Sequence, residues 1–377
     1  MPRQYYGVAY KSSIAMVKTT RAGFANFALS TQIMRGIKFL IDKASELNKP
    51  LVINISLSTN DRAHNGTSLL EQYIETITKL ERVVIVIAAG NEGDAGHHAG
   101  GYLSEAIEIP VGVSAGEPTL ILQLYKTLLV ELSIIVTNPS GQKTAEIQLT
   151  EGYTEFNIGE DRCIIYNSGP KPFDIQGEII ISLIPSGESL PGGEWKITLM
   201  TQNKYAGTFD MWLPITETLN PKTRFLIPDV YNTLGIPATV QGVISVGSYN
   251  YMTNAYSSFS GRGKLFDRAF IKPDLAAPGE GIISAVPGGG FDAKSGTSMA
   301  APHAAGICAL LLEWGIIKGN DPFLYGDRMK YYLLKTCERE RAEIIYPDPA
   351  WGYGIICANA ALQLLRFVNI STKLVGK

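Results

Sequence analysis

From Ser30, apolar residues recur at Ile33, Met34, Ile37, Leu40, Ile41, Ala44 and Leu47, the spacing that places them on one face of a helix. Leu51 to Ser58 (LVINISLS) is instead almost continuously apolar, which predicts a strand covered on both faces. A second helix is expected near Ser68, where Ser68 and Glu71 stand at capping-box spacing. Its inward face is read as Leu69, Leu70, Tyr73, Ile74, Ile77 and Leu80. Val83 to Gly90 (VVIVIAAG) reads as another buried strand, and Ser13 to Lys18 is a short apolar run ahead of the first helix. Strands and helices alternating through short connections imply a parallel sheet with helices packed on it.

Between about Ile107 and Phe225 the texture changes. Strand-like runs such as Leu120–Leu122, Glu178–Ile181 and Trp195–Leu199 are separated by the turn clusters Asn138-Pro139-Ser140-Gly141, Pro185-Ser186-Gly187 and Pro191-Gly192-Gly193. No helical period is visible there, so an inserted β-sandwich or jelly-roll-like domain is expected over 107–225. Residues 1–106 and 226–377 then form the two parts of one α/β domain. In the second part, Gly242–Tyr249 and Gly281–Val286 read as strands. A helix from about Ser298 to Trp314, apolar nearly all round, belongs in the centre of a fold.

Composition narrows the function classes. The 377 residues carry 33 Lys+Arg against 35 Asp+Glu, a net charge of −2, which argues against a nucleic-acid-binding chain. No stretch reaches about 18 consecutive apolar residues, so no membrane partner is expected, and Met1–Tyr6 lacks the apolar core of a signal peptide. Cys163, Cys308, Cys337 and Cys357 show no C-x-x-C spacing and read as buried reduced thiols. Trp195 and Trp212 are assigned to the core. No metal motif or cofactor motif stands out, and calcium is left open.

The chemistry concentrates in Ser295-Gly296-Thr297-Ser298-Met299-Ala300-Ala301-Pro302-His303-Ala304-Ala305-Gly306. A glycine-bearing turn delivers Ser298 to the first turn of the apolar helix, where unpaired N–H groups and the helix dipole favour negative charge. Pro302 is acceptable because it lies near the helix start. On these grounds alone Ser298 is either a capping serine or a nucleophile. The stretch, however, resembles the nucleophile motif of the subtilisin-like serine proteases (subtilases), G-T-S-M-A-x-P-H-x-x-G, at every fixed position. Lys272–Gly279 (KPDLAAPG), Ser257–Gly263 (SSFSGRG), Val243–Gly247 and Gly352–Ile356 resemble other family segments in the family's order.

The resemblance implies a subtilisin-like doubly wound parallel sheet and peptide-bond hydrolysis through an acyl-enzyme on Ser298. Ala88-Ala89-Gly90-Asn91 is similar to the family's oxyanion segment, which makes Asn91 the side-chain oxyanion donor. Ser56-Leu57-Ser58 resembles the substrate-binding strand, and Ala88, Ala89 and Gly90 the opposite wall of the pocket for the residue before the scissile bond. Ser58 stands where the family has glycine. The family's Asp and His motifs, which come in the order Asp…His…Ser, are absent, so the chain looks like a C-terminal portion. His64 mimics a catalytic H-G-T but follows the substrate strand. His97 and His98 are read as structural or rim residues in a loop, and His303 as a packing residue of the motif.

With its insertion, the chain resembles the Csp germination proteases of spore-forming clostridia. That implies a peptide or protein substrate, namely a spore-cortex-lytic precursor, a spore-associated location, and a separate N-terminal fragment carrying Asp and His. The alternative is a silent pseudoprotease that acts by binding, which a natural start at Met1 would suit. A third reading makes the β insertion the functional part. The missing edge of the sheet predicts association with that fragment or self-association.

Overall fold

The computed structural model describes residues 5–19, 30–172, 174–265 and 271–375. They form two compact units, one of Met1–Ser58, Ser68–Asn91 and Leu234–Lys377, the other of Thr59–Thr67 and Glu92–Thr233. The second unit is wider than the expected 107–225. It takes in a nine-residue loop after the first strand and the strand His98–Leu103, whose two glycines hide its period in the sequence.

The first unit is built on a parallel sheet in the order β1 (Leu51–Ile55), β2 (Val83–Ala88), β3 (Ile244–Tyr249), β4 (Leu275–Pro278). Val83, Ile85 and Ile87 point to one core with α1 (Ser30–Glu46) and α2 (Leu69–Ile77). Val84, Val86 and Ala88 point to the other, with α3 (Thr297–Leu312), α4 (Gly326–Lys335) and α5 (Ala358–Val375). Because consecutive strand residues face opposite ways, covering both faces requires the unbroken apolar run. The capping box of α2 forms as expected: Ser68 Oγ accepts from Glu71 N at 3.3 Å and Glu71 Oε2 from Ser68 N at 3.0 Å.

Several details of the expected pattern change. Leu47 lies just past the end of α1 and is exposed. Leu69 and Leu80 are exposed, because Leu69 opens α2 outside its buried stripe and Leu80 lies past its end. The apolar run Ser13–Lys18 leaves Ile14 and Met16 exposed. Ile282–Ala285 is a strand, but it pairs with Phe291–Lys294 in a separate exposed hairpin rather than joining the parallel sheet.

The helix α3 and the π turn after it, Thr297–Ile317, have the length and apolarity of a membrane span. In this fold α3 instead packs across β1, β2, β3 and β4.

Among the described residues, the second unit is all-β apart from one short 3₁₀ turn at Thr216–Thr218. A six-stranded sheet runs 98–103, 207–212, 120–126, 179–184, 161–167, 152–158, and a five-stranded sheet runs 224–225, 107–113, 193–201, 132–137, 147–148. All of their pairings are antiparallel, and both sheets contribute to one apolar core that includes the fully buried Trp195. Trp212 is also buried, against Ala63 and Tyr125. Cys163, Cys308 and Cys337 are buried free thiols, pushed up to about 12 by burial, while Cys357 is half-buried.

Candidate active site

Ser298 is the second residue of α3, half-buried, where the helix presents backbone N–H groups with no intrahelical partner. The turn before it depends on Gly296 at φ 150°, a conformation L side chains rarely adopt. Gly296 N donates to Gly279 O at 2.8 Å, anchoring that turn to the segment after β4. A Cβ on Gly296 would stand 3.5 Å from Asn91 Nδ2, an ordinary van der Waals contact, so it is the backbone conformation rather than crowding that calls for glycine here.

Asn91 follows β2. Its Oδ1 accepts two hydrogen bonds from Thr297, from the backbone N–H at 3.0 Å and from the hydroxyl at 3.0 Å. Both are donors, so the atom they meet must be the amide oxygen, and the Asn91 NH₂ is turned away from Thr297. The Thr297 hydroxyl in turn accepts from Gly90 N at 3.1 Å. Gly90 has φ 92°, and a Cβ there would lie 2.9 Å from Gly235 N. The end of β2 and the start of α3 are therefore locked together around Thr297. The motif by itself assigns Thr297 no role.

A hydroxyl at a helix N-terminus, one residue after the threonine that orients a side-chain amide, has the parts of an acyl-transfer centre. Residues 3–129 and 229–354, about two thirds of the chain, match the model of the subtilase family. The chain belongs to the subtilase family. It is 56% identical to the CspB protease of Clostridium perfringens, whose solved structure superposes with a TM-score of 0.92 over 96% of this chain and 76% of that one. An intracellular serine protease of Paenibacillus polymyxa is 46% identical over 85 residues, 22% of this chain and 24% of that protein. The minor extracellular protease Vpr of Bacillus subtilis is 35% identical over 106 residues, 26% of this chain and 12% of that protein. The matched stretch thus spans about a quarter or less of these two relatives' own length.

The other expected subtilase site residues also lie in the first unit. Ser56, Leu57 and Ser58 continue from β1. Ser56 Oγ donates to Ser298 O at 3.3 Å, and Ser298 Oγ donates to Ser56 O at 3.4 Å. Leu57 is exposed. The Ser58 side chain lies against Gly235, since a Cβ on Gly235 would meet Ser58 Cβ at 2.5 Å. Ala88 and Ala89 bury their methyl groups in the two cores on opposite sides of the sheet, so what they can offer a substrate is backbone. Of that backbone, Ala89 N donates to Val246 O at 3.0 Å, Ala89 O accepts from Gly235 N at 2.8 Å and Gly90 O accepts from Gly261 N at 2.9 Å.

Asp274, in the KPDLAAPG segment, is wholly buried. It accepts from Lys272 Nζ at 2.6 Å, Lys330 Nζ at 2.7 Å, Ser245 N at 2.7 Å and Ser245 Oγ at 2.9 Å. Burial pushes the Lys272 ammonium down to about 7, opposed by the Asp274 charge. Asp274 itself is held below its ordinary range by the two lysines against the opposing effect of burial.

His303 is turned into its own helix, Nδ1 donating to Met299 O at 2.9 Å. The other three histidines belong to the second unit and are buried, not at a rim. His97 Nδ1 lies 2.6 Å from Glu92 Oε2 and its Nε2 3.2 Å from Thr223 O. His98 opens a strand, with Nε2 3.1 Å from Asp210 Oδ1. His64 stacks on Trp212 at 4.3 Å. Among the described residues no group of three or more His, Cys, Asp or Glu could hold a metal ion.

Proposed function

We propose that this chain is the nucleophile-bearing part of a subtilase endopeptidase, with Ser298 as nucleophile and Asn91 as oxyanion donor. The observation that carries the reading is the double hydrogen bond from Thr297 to Asn91 Oδ1, which commits the amide oxygen and leaves the NH₂ to donate. In the proposed reaction Ser298 Oγ attacks the scissile carbonyl carbon. Its proton passes to an imidazole carried by a separate segment of the same protease, which also brings the aspartate. The developing oxyanion is met by Asn91 Nδ2 and the Ser298 N–H. The imidazolium then protonates the leaving amine, and water releases the acyl group from Ser298.

The similarity to a clostridial Csp protease supports a protein substrate of the spore-cortex-lytic precursor class and a spore-associated site of action. The chain's repeated passage between the two antiparallel sheets supports a jelly-roll-like assignment for the inserted unit.

A second reading, a silent binding protein, is favoured by one observation: the Ser298 hydroxyl donates to the Ser56 carbonyl rather than to a base. Denaturing intact-mass spectrometry with and without a fluorophosphonate probe separates the two. A smaller companion chain together with an adduct lost in Ser298→Ala supports the protease. An unlabelled Ser298 in the presence of the Asp- and His-bearing segment sinks it.

A further inference from the structure

Pro302 is the sixth residue of α3 and brings no N–H to the helical ladder. The carbonyl such an N–H would have met, four residues earlier, is that of Ser298. A proline here therefore opens a backbone acceptor on the residue that carries the hydroxyl. In this structure the opening is filled from another element, because Ser56 Oγ donates to Ser298 O at 3.3 Å. The direction of that bond is enforced from behind. Asn54 Nδ2 donates to Ser56 Oγ at 3.1 Å, so a lone pair of the Ser56 hydroxyl is used and its proton is turned towards Ser298. The Ser298 hydroxyl completes the pair by donating to Ser56 O at 3.4 Å.

We infer that Ser56 is a positioning residue. Its hydroxyl replaces the N–H that Pro302 lacks, and so holds the helix turn carrying Ser298 against the end of β1. Proximity to the helix start does not by itself make Pro302 acceptable, since the sixth residue of a helix normally donates. The relay Asn54 Nδ2 to Ser56 Oγ to Ser298 O supplies the missing partner. This assigns Ser56 a role through its side chain, separate from any pairing of its backbone with a peptide. Only the activity arm of its test rests on the protease reading.

The test is a cycle of Ser56→Ala and Pro302→Ala in the chain as it stands, read by thermal unfolding. Ser56→Ala lowers the Tm by about 1–4 °C where residue 302 is proline, the size expected for one hydrogen bond in a chain this long. The same change has little effect where residue 302 is alanine, because the new N–H takes the Ser298 carbonyl. Ser56→Thr, which keeps the hydroxyl, stays at the parent Tm. Equal losses in both backgrounds would overturn the inference.

In the assembled protease, Ser56→Ala lowers kcat about five- to tenfold with KM unchanged, and adding Pro302→Ala restores it. A raised KM at constant kcat would mean that Ser56 acts on substrate instead. If the assembled parent shows no activity, the protease reading fails, and the unfolding cycle still decides the role of Ser56.

Discussion

Thr297 donates both its backbone N–H and its hydroxyl to Asn91 Oδ1, each at 3.0 Å. One residue thus fixes which end of the Asn91 amide faces outward, and does so from the position immediately before Ser298. An oxyanion donor works only if it is already oriented when charge develops, because reorientation during reaction would cost what the interaction supplies. On the proposed reading, Asn91→Leu in the protease completed by its Asp- and His-bearing segment is expected to lower kcat about 10²–10³-fold with KM little changed, as removal of such a donor does in subtilisin. Thr297→Val removes one of the two orienting bonds and should fall between the parent and Asn91→Leu. Steady-state kinetics on a peptide substrate checks both, and a Thr297→Val enzyme as fast as the parent would show that orientation comes from elsewhere.

Gly90 is a second point where the backbone sets the site. Its φ is 92°, and a Cβ at this position would come within 2.9 Å of Gly235 N, which leaves no room for alanine. Gly90→Ala is expected to cost about 1–3 kcal/mol from the backbone conformation alone. It should also displace the neighbouring Asn91, so that activity falls further than a loss of folded protein would explain. Denaturant unfolding and kinetics on the same preparation separate the two effects.

Much of the first unit was legible because each signal had one physical source. The VVIVIA run of β2 can only be a strand with both faces covered, and Ser68 with Glu71 can only satisfy each other at a helix start. The Gly281–Val286 run does hold a strand, but its placement in a separate exposed hairpin was not legible, because strand propensity alone does not say which partner a strand takes. His98–Leu103 was hidden because glycines at 100 and 101 erase the alternation a strand needs. Of the candidate site, the motif pointed to Ser298 and Asn91, whereas nothing local pointed to the hydrogen bonds of Thr297 and of the Ser56 hydroxyl, which join residues more than 200 positions apart. Pro302 was the available clue, since its position implies that the Ser298 carbonyl needs another donor.

The buried Lys272 predicts a pH dependence. Its ammonium is pushed down to about 7 in the folded chain, against an ordinary value of 10.5. Between those values the unfolded chain binds the proton and the folded chain does not, so stability rises with pH across that window. Below about 7 both states hold the proton and the full penalty of burying the charge is present. Relative to Lys272→Met, the parent should gain stability as the pH is raised from about 6 to 9.5. Denaturant titrations at several pH values test this, and a difference independent of pH would mean that Asp274 keeps Lys272 charged throughout.

Leu51–Ile55 pairs on one side only among the described residues, with β2. The strand carries no lysine or proline to discourage further pairing, and Ile14 and Met16 add exposed apolar surface to the same unit. On the proposed reading, the segment bearing the aspartate and histidine would pair along this edge. The chain alone should then self-associate in a concentration-dependent way. Added in equimolar amount, the separate segment should convert it to a one-to-one complex. Size-exclusion chromatography with light scattering distinguishes these states. A chain that remains monomeric at high concentration, and takes up no segment, would mean that this edge is already satisfied and that completion of the site must be sought elsewhere.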